Sequence, residues 1–269
     1  GDTTTGDGTS LSKSTRSSLL VMTCTLLSRI LGFARIAVIT GVFGAAGKAD
    51  IINLTFSIPN NLRKLLAEGA LSSAFIPELS KALYHDSSGG SARSLVRKLL
   101  SFQVLILVPL CLLSIVFARP LITHVLSEFT DPQMISESTD LFRWFINYLL
   151  LISISAVLMG IINAHQRFLV PAIAPLLFSI TVIAAIFLTH GRLDIYSVAL
   201  GVLVGGTMQI LVQLPLFRRL GYDAKPDFSF SDPAFRRILK TWLPVLATSS
   251  LFTLTYQIAI RFASGLGEG

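Results

Sequence analysis

Four basic side chains stand inside runs of sequence that are otherwise apolar. Arg29 and Arg35 interrupt a run from about Ser18 to Phe43, and Arg63 and Lys64 interrupt a second run from about Asp50 to Leu83. An ionised side chain at the centre of a bilayer costs about 2.5–3.5 kcal/mol on insertion scales, so four of them cannot face lipid and must face a polar interior. On a helix, Arg29 and Arg35 lie about 9 Å apart along the axis and about 120° apart around it. They can therefore line one wall of a cavity at two depths, a geometry suited to an extended anionic ligand. Asp50 and Glu68 are the acidic residues weighed against them. Pairing all four bases with these two leaves a positive surplus, which low dielectric tolerates only when water or a ligand anion neutralises it. A ligand cavity is thus favoured over purely structural pairing.

The second run carries further signals in SIPNNLRKLLAEGA. Pro59 removes a backbone hydrogen bond and crowds the carbonyl of Thr55, which predicts a kink or break, with Asn60 and Asn61 available to satisfy the freed groups. Irregular backbone at membrane depth is tolerated where it lines a water-filled cavity, although a simple packing kink accounts for Pro59 equally well. Lys64 and Glu68 are spaced i, i+4 in the weaker Lys-first order, which suits a structural or gating pair. Asp50 reads either as a helix N-cap or as the partner of an arginine across the cavity. No catalytic constellation accompanies these residues. His85, His124, His165 and His190 are scattered, with no second ligand at metal-binding spacing. Cys24 and Cys111 lie in apolar runs and read as small hydrophobes. The Gly89-Gly90 pair sits in a Ser-rich connection rather than a phosphate-binding loop. No metal or cofactor is expected, and the chain is read as a transporter rather than an enzyme.

The elements that must hold these residues are membrane helices. Hydrophobic residues make up 52% of the 269-residue chain and charged ones only 14%, with a mean hydropathy of +0.70, so the expected solvent is lipid. Spanning about 30 Å of hydrocarbon takes about 20 helical residues. Seven runs qualify: the two above, then about Leu99 to Ala118, Leu141 to Ile162, Pro171 to Thr189, Tyr196 to Phe217 and Thr241 to Phe262. Trp144 and Tyr148 in the fourth, and Trp242 in the seventh, are expected as interfacial anchors. Gly201, Gly205 and Gly206 in the sixth predict close helix packing. The polar start is expected to be a flexible tail over 1–16, followed by a lobe over 17–217, a cytoplasmic connection over 218–240, and the seventh helix with the start of an outer loop over 241–269. The LITHVL stretch is expected as a short helix on the outer interface. The net charge of +7 resolves into thirteen basic residues in the connections on one side and five on the other. The richer side, which includes Lys13 and Arg16, is retained in the cytoplasm, so the amino terminus is expected inside. The charge lies between apolar runs and not in a nucleic-acid-reading motif, so nucleic acid is not an expected partner.

The stretch LLSRILGFARIAVITGVFGAAGKADIINLTFSIPNNLRKLLAEGALSSAFIPEL resembles the N-terminal signature of the MurJ/MviN lipid II flippases. NAHQRFLVPAIAPLLFSI, VGGTMQILVQLPLFRRLGY and FASGLGEG agree in order, so the resemblance covers nearly all of Ser17 to Gly269. It implies an all-α polytopic membrane protein of the MOP transporter superfamily. The chain would supply the N-terminal lobe of six helices plus a seventh helix, and a second lobe would complete fourteen. It implies flipping of lipid II across the bacterial inner membrane by alternating access, with dependence on membrane potential or an ion gradient and cell-wall synthesis proteins as further partners. By motif, the essential cavity arginines fall on Arg29, Arg35 and Arg63, and the acidic position on Asp50. Ser28, Gly32, Asp50, Pro59, Asn60, Lys64 and Glu68 are expected to support or gate that site. Ile36 departs from the pattern, since many members have an acidic residue there, and this weakens any local pairing assigned to Arg35. The eighth span and second lobe are not in the sequence, so the chain is expected to be a fragment that alone flips nothing. The alternatives weighed were another MOP-type exporter, of a polysaccharide-lipid or a drug, and a non-transporting scaffold for cell-wall synthesis.

Overall fold

A computed structural model describes residues 7–44, 47–63, 70–86 and 89–264, and among these there are helices and no strands. α1 runs unbroken from Asp7 to Phe43, a rod about 55 Å long that begins inside the segment read as a tail. Within the second run, α2 covers Lys48–Arg63 and α3 covers Ala70–His85, 16 described residues each. α4 (Gly90–Val116) is followed by a short α5 (Ala118–Pro120), and LITHVL forms a single π-helical stretch, Leu121–Leu126. α6 (Pro132–Ala164), α7 (Leu169–Leu193), α8 (Tyr196–Arg219) and α9 (Pro233–Ser264) complete the order. Among the described residues, five helices are long and apolar enough to cross a membrane: Leu19–Phe43 of α1, then α4, α6, α7 and α8.

Of the kink or break expected at Pro59, the break does not occur. α2 continues through Pro59 to Arg63, and Pro77, Pro109, Pro175, Pro215 and Pro244 lie inside helices in the same way. Packing explains the continuity. Ile51, Ile52, Leu54 and Ile58 of α2 are buried, and α2 lies along α6, so more is gained by keeping the helical register than is lost with one hydrogen bond. The helix that contains the expected seventh run, α9, starts at Pro233. Proline at the first helical position forgoes no intrahelical bond, and the Asp232 carboxylate before it accepts the Ala234 N–H at 2.8 Å.

α6 is the central element, with α2, α4 and α8 packed along it. The α8 glycines make close approach possible, as their spacing predicts. A Cβ on Gly201 would stand 2.8 Å from the Val182 Cα, and one on Gly206 would stand 2.9 Å from the Tyr148 ring. Two aromatic expectations are corrected. Trp144 is exposed, but Tyr148 is buried against Phe56 and Phe178. Trp242 lies ten residues inside α9 rather than at its start, buried beside Phe102. In both cases the ring faces a neighbouring helix, so packing and not the interface decides its place.

Polar contacts gather at the two ends of the bundle. At one end, Arg97 of α4 makes two 2.6 Å hydrogen bonds to Asp223, and Lys98 reaches Asp232 at 2.5 Å. Glu78 of α3 accepts from Lys81 at 2.7 Å and from Arg237 of α9 at 3.0 Å. At the other end, Lys48 pairs with Asp194, Arg143 with Asp140 and Arg261 with Glu128. Among the described residues, every cation in these pairs is joined to an acid on the side of the bundle to which charge counting assigns that cation.

Candidate functional site

Arg35 projects from the side of α1 that packs on α7, with its guanidinium carbon 5.0 Å from the centre of the Phe178 ring and 5.9 Å from that of Phe56. Phe178 belongs to α7 and Phe56 to α2, so one side chain links three helices. The two rings are themselves braced. Tyr148 stacks on Phe178 with centroids 5.2 Å apart and lies 5.9 Å from Phe56, while Phe145 meets Phe56 edge-on at 5.4 Å. Gly205 and Gly206 of α8 press on the far side of this cluster, where added Cβ atoms would come within 2.9 Å of the Phe178 and Tyr148 rings. An arginine over aromatic faces is attracted by the ring quadrupoles, and its five N–H donors lie in the guanidinium plane and not along the direction used for stacking.

Arg29 has a different environment. It lies on an exposed flank of α1, near the exposed side chains of Leu26, Phe33 and Ile36, and among the described residues no acid pairs with it. Because α1 is continuous, the axial spacing of about 9 Å between the two arginines holds. Ser28 and Gly32 fall on the partly buried side of α1, and a Cβ on Gly32 would meet nothing within 4 Å, so no close approach requires glycine there.

α2 brings only part of its expected set to this place. Asp50 is the third residue of α2, not its cap, and its N–H donates to the Gly47 carbonyl at 3.1 Å. Half-buried in the first turn, its carboxylate stands at the positive end of the helix dipole. Pro59 is buried and Asn60 half-buried, one turn beyond Phe56. Arg63 ends α2, and its side chain lies outside what the structure describes, as do Lys64 and Glu68 entirely. Among the described residues no group of His, Cys, Asp and Glu could hold a metal ion.

Sequence reasoning did not single out Phe56, Tyr148 or Phe178 as site residues, because an aromatic inside an apolar run carries no mark of what its face will touch. Glu78 was also missed, although an acid inside the second run is legible as a charge. Its side chain is only 9% exposed and is engaged by Lys81 and Arg237.

Comparison with known proteins gives a consistent result. The family model described as lipid II flippase MurJ matches residues 39–269. The chain is 37% identical over 253 residues to a probable lipid II flippase MurJ of Borreliella burgdorferi, covering 94% of this chain and 49% of that protein. It is 33% identical over 262 residues to the lipid II flippase MurJ of Burkholderia cenocepacia, covering 94% and 50%. A solved structure of lipid II flippase MurJ in an inward closed conformation superposes with a TM-score of 0.75 at 25% identity, over 93% of this chain and 51% of that one. The chain spans about half the length of the curated relatives it matches.

Proposed function

The chain belongs to the lipid II flippase MurJ family, and from that premise we propose that it forms the N-terminal lobe of a transporter. The cargo is lipid II, the undecaprenyl-pyrophosphate-linked peptidoglycan precursor, carried from the inner to the outer leaflet of the bacterial inner membrane. Arg29, Arg35 and Arg63 bind the pyrophosphate and its attached head group in a hydrated cavity, while the polyprenyl tail stays in lipid. Guanidinium groups suit this task because their planar donor forks match phosphate oxygens and remain charged at any physiological pH. Neutralising the head group inside the protein removes the cost of drawing charge through hydrocarbon. No covalent bond is made or broken. A second lobe rocks against this one to expose the cavity outward, driven by membrane potential or an ion gradient. The amino terminus faces the cytoplasm, and cell-wall synthesis proteins receive the product on the far side.

The observation that carries this reading is the pair of α1 arginines: Arg35 is held against three helices, and Arg29 stands about 9 Å away with no acid paired to it among the described residues. A guanidinium held between two rings and a second one about 9 Å along the same helix suit an extended anion with charge at two depths. The test is reconstitution of the full-length protein in proteoliposomes with fluorescent lipid II. Arg29→Ala, Arg35→Ala and Arg63→Ala are each expected to reduce translocation at least about tenfold at equal protein content, as loss of a charged hydrogen bond of about 1.5–3 kcal/mol implies. Translocation left intact by all three substitutions would refute the proposal.

A further inference from the structure

We infer that Phe178 and Phe56 are positioning residues for the anion-binding arginine. Together they form an aromatic clamp that holds the Arg35 guanidinium between α2 and α7, where it meets the pyrophosphate. This inference rests on the function proposed above and adds residues that the motif reading did not assign to the site. An arginine side chain has four rotatable bonds, and immobilising a side chain of that kind on ligand binding costs about 0.5–1.5 kcal/mol. A guanidinium already held over two rings has met much of that cost before the ligand arrives. The two rings come from different helices, Phe56 from α2 and Phe178 from α7, at 5.9 and 5.0 Å from the guanidinium carbon. They are backed by Tyr148 and Phe145 of α6. Gly205 and Gly206 complete the support, since their missing side chains are what let α8 press against Phe178 and Tyr148.

The clamp also explains why aromatic side chains are needed here and bulk alone is not enough. Leucine at either position would fill similar space and keep the helix contacts, but it has no quadrupole to attract a cation.

The experiment measures lipid II binding to the full-length transporter in nanodiscs, for the wild type, Phe178→Leu, Phe178→Tyr, Arg35→Ala and the double variant Phe178→Leu/Arg35→Ala. Monodispersity and thermal unfolding are checked for each, and Phe56→Leu serves as a second probe should Phe178→Leu fold poorly. A cation–π contact of about 0.5–1.5 kcal/mol translates to roughly 2- to 12-fold, so Phe178→Leu is expected to weaken lipid II binding by that factor. Phe178→Tyr should stay within about 2-fold of wild type. In the Arg35→Ala background, Phe178→Leu should add no further loss, because a residue that acts only through Arg35 has nothing left to position. An equal loss in both backgrounds, or full affinity in both Phe178→Leu and Phe56→Leu while Arg35→Ala loses binding, overturns the clamp. Full affinity in Arg35→Ala overturns instead the assignment of Arg35 to the ligand site.

Discussion

Replacing Gly201 by alanine probes the closest helix contact in the fold. A Cβ at this position would stand 2.8 Å from the Val182 Cα and 2.9 Å from the Ala185 Cβ. Ordinary contact begins near 3.4 Å, so α7 and α8 must separate locally by roughly 0.6 Å. Neither opposing atom is the far end of a flexible side chain, so no change of rotamer relieves the clash. Overpacking of this kind costs about 1–3 kcal/mol, against a helix-propensity gain of about 1 kcal/mol for alanine over glycine. The expected net result is a loss of roughly 0–2 kcal/mol, centred near 1 kcal/mol. Gly32 is the matched control, a helical glycine whose added Cβ would meet nothing within 4 Å, so Gly32→Ala should raise stability by about 0.5–1 kcal/mol. Thermal unfolding of the full-length protein in nanodiscs should therefore shift in opposite directions for the two variants. A Gly201→Ala protein that melts at or above the wild-type temperature, beside a Gly32→Ala protein that shows its gain, would refute the close approach of α7 and α8.

Three further outcomes are expected. Glu78→Gln keeps the shape of a nearly buried side chain but removes the charge that Lys81 and Arg237 share, and it should lower unfolding stability by about 1 kcal/mol; no change would deny the α3–α9 link any energetic weight. Lys98→Ala leaves Asp232 without its buried partner and should cost about 1–3 kcal/mol, part of which Asp232→Asn restores in the double variant; equal losses in single and double variants would contradict that pairing. Acid should release the loop between α8 and α9. The hydrogen bonds from Arg97 hold the Asp223 carboxyl down at about 2, and Lys98 likewise keeps Asp232 below its ordinary value. Carboxyls with depressed values favour the folded state only while ionised, so their contribution is complete above about pH 4 and fades toward pH 2. Fluorescence of the buried Trp242 in a Trp144→Phe protein should be flat from pH 8 to 5 and change below pH 4. A change centred near pH 6 would be inconsistent with these carboxylates.

Much of the helix order is legible from hydropathy, because lipid demands long apolar runs and charges mark their ends. The Gly201, Gly205 and Gly206 contacts are legible for a related reason, since small residues have few other uses in a membrane helix. Pro59 is where local reasoning fails: the ring costs one hydrogen bond, but buried Ile51, Ile52, Leu54 and Ile58 hold the helix in register on both sides of it. Tyr148 and Trp242 fail for the opposite reason. An amphipathic ring near a span end satisfies the interface rule, and only the gap left by Gly206 or the neighbouring Phe102 ring shows that it turns inward. At the candidate site, a charge inside an apolar run identifies Arg35, whereas its clamp depends on which faces of three separate helices meet.

The ionic contacts between α4 and the loop before α9 also have an order in time. Asp223 follows Arg97 by 126 residues, and Asp232 follows Lys98 by 134. At about 5–20 residues per second, a ribosome takes roughly 6–27 seconds to make that length of chain. Throughout that interval the basic end of α4 has no acidic partner from this loop, which is when unpaired positive charge can anchor a new helix on the cytoplasmic side. Once the loop is made, the same two cations are taken up by Asp223 and Asp232. Under the orientation proposed above, residues that first direct how the helix inserts are reused to fasten the loop that leads into α9, and a charge reversal at Arg97 would then be felt twice, during biogenesis and again in the finished fold.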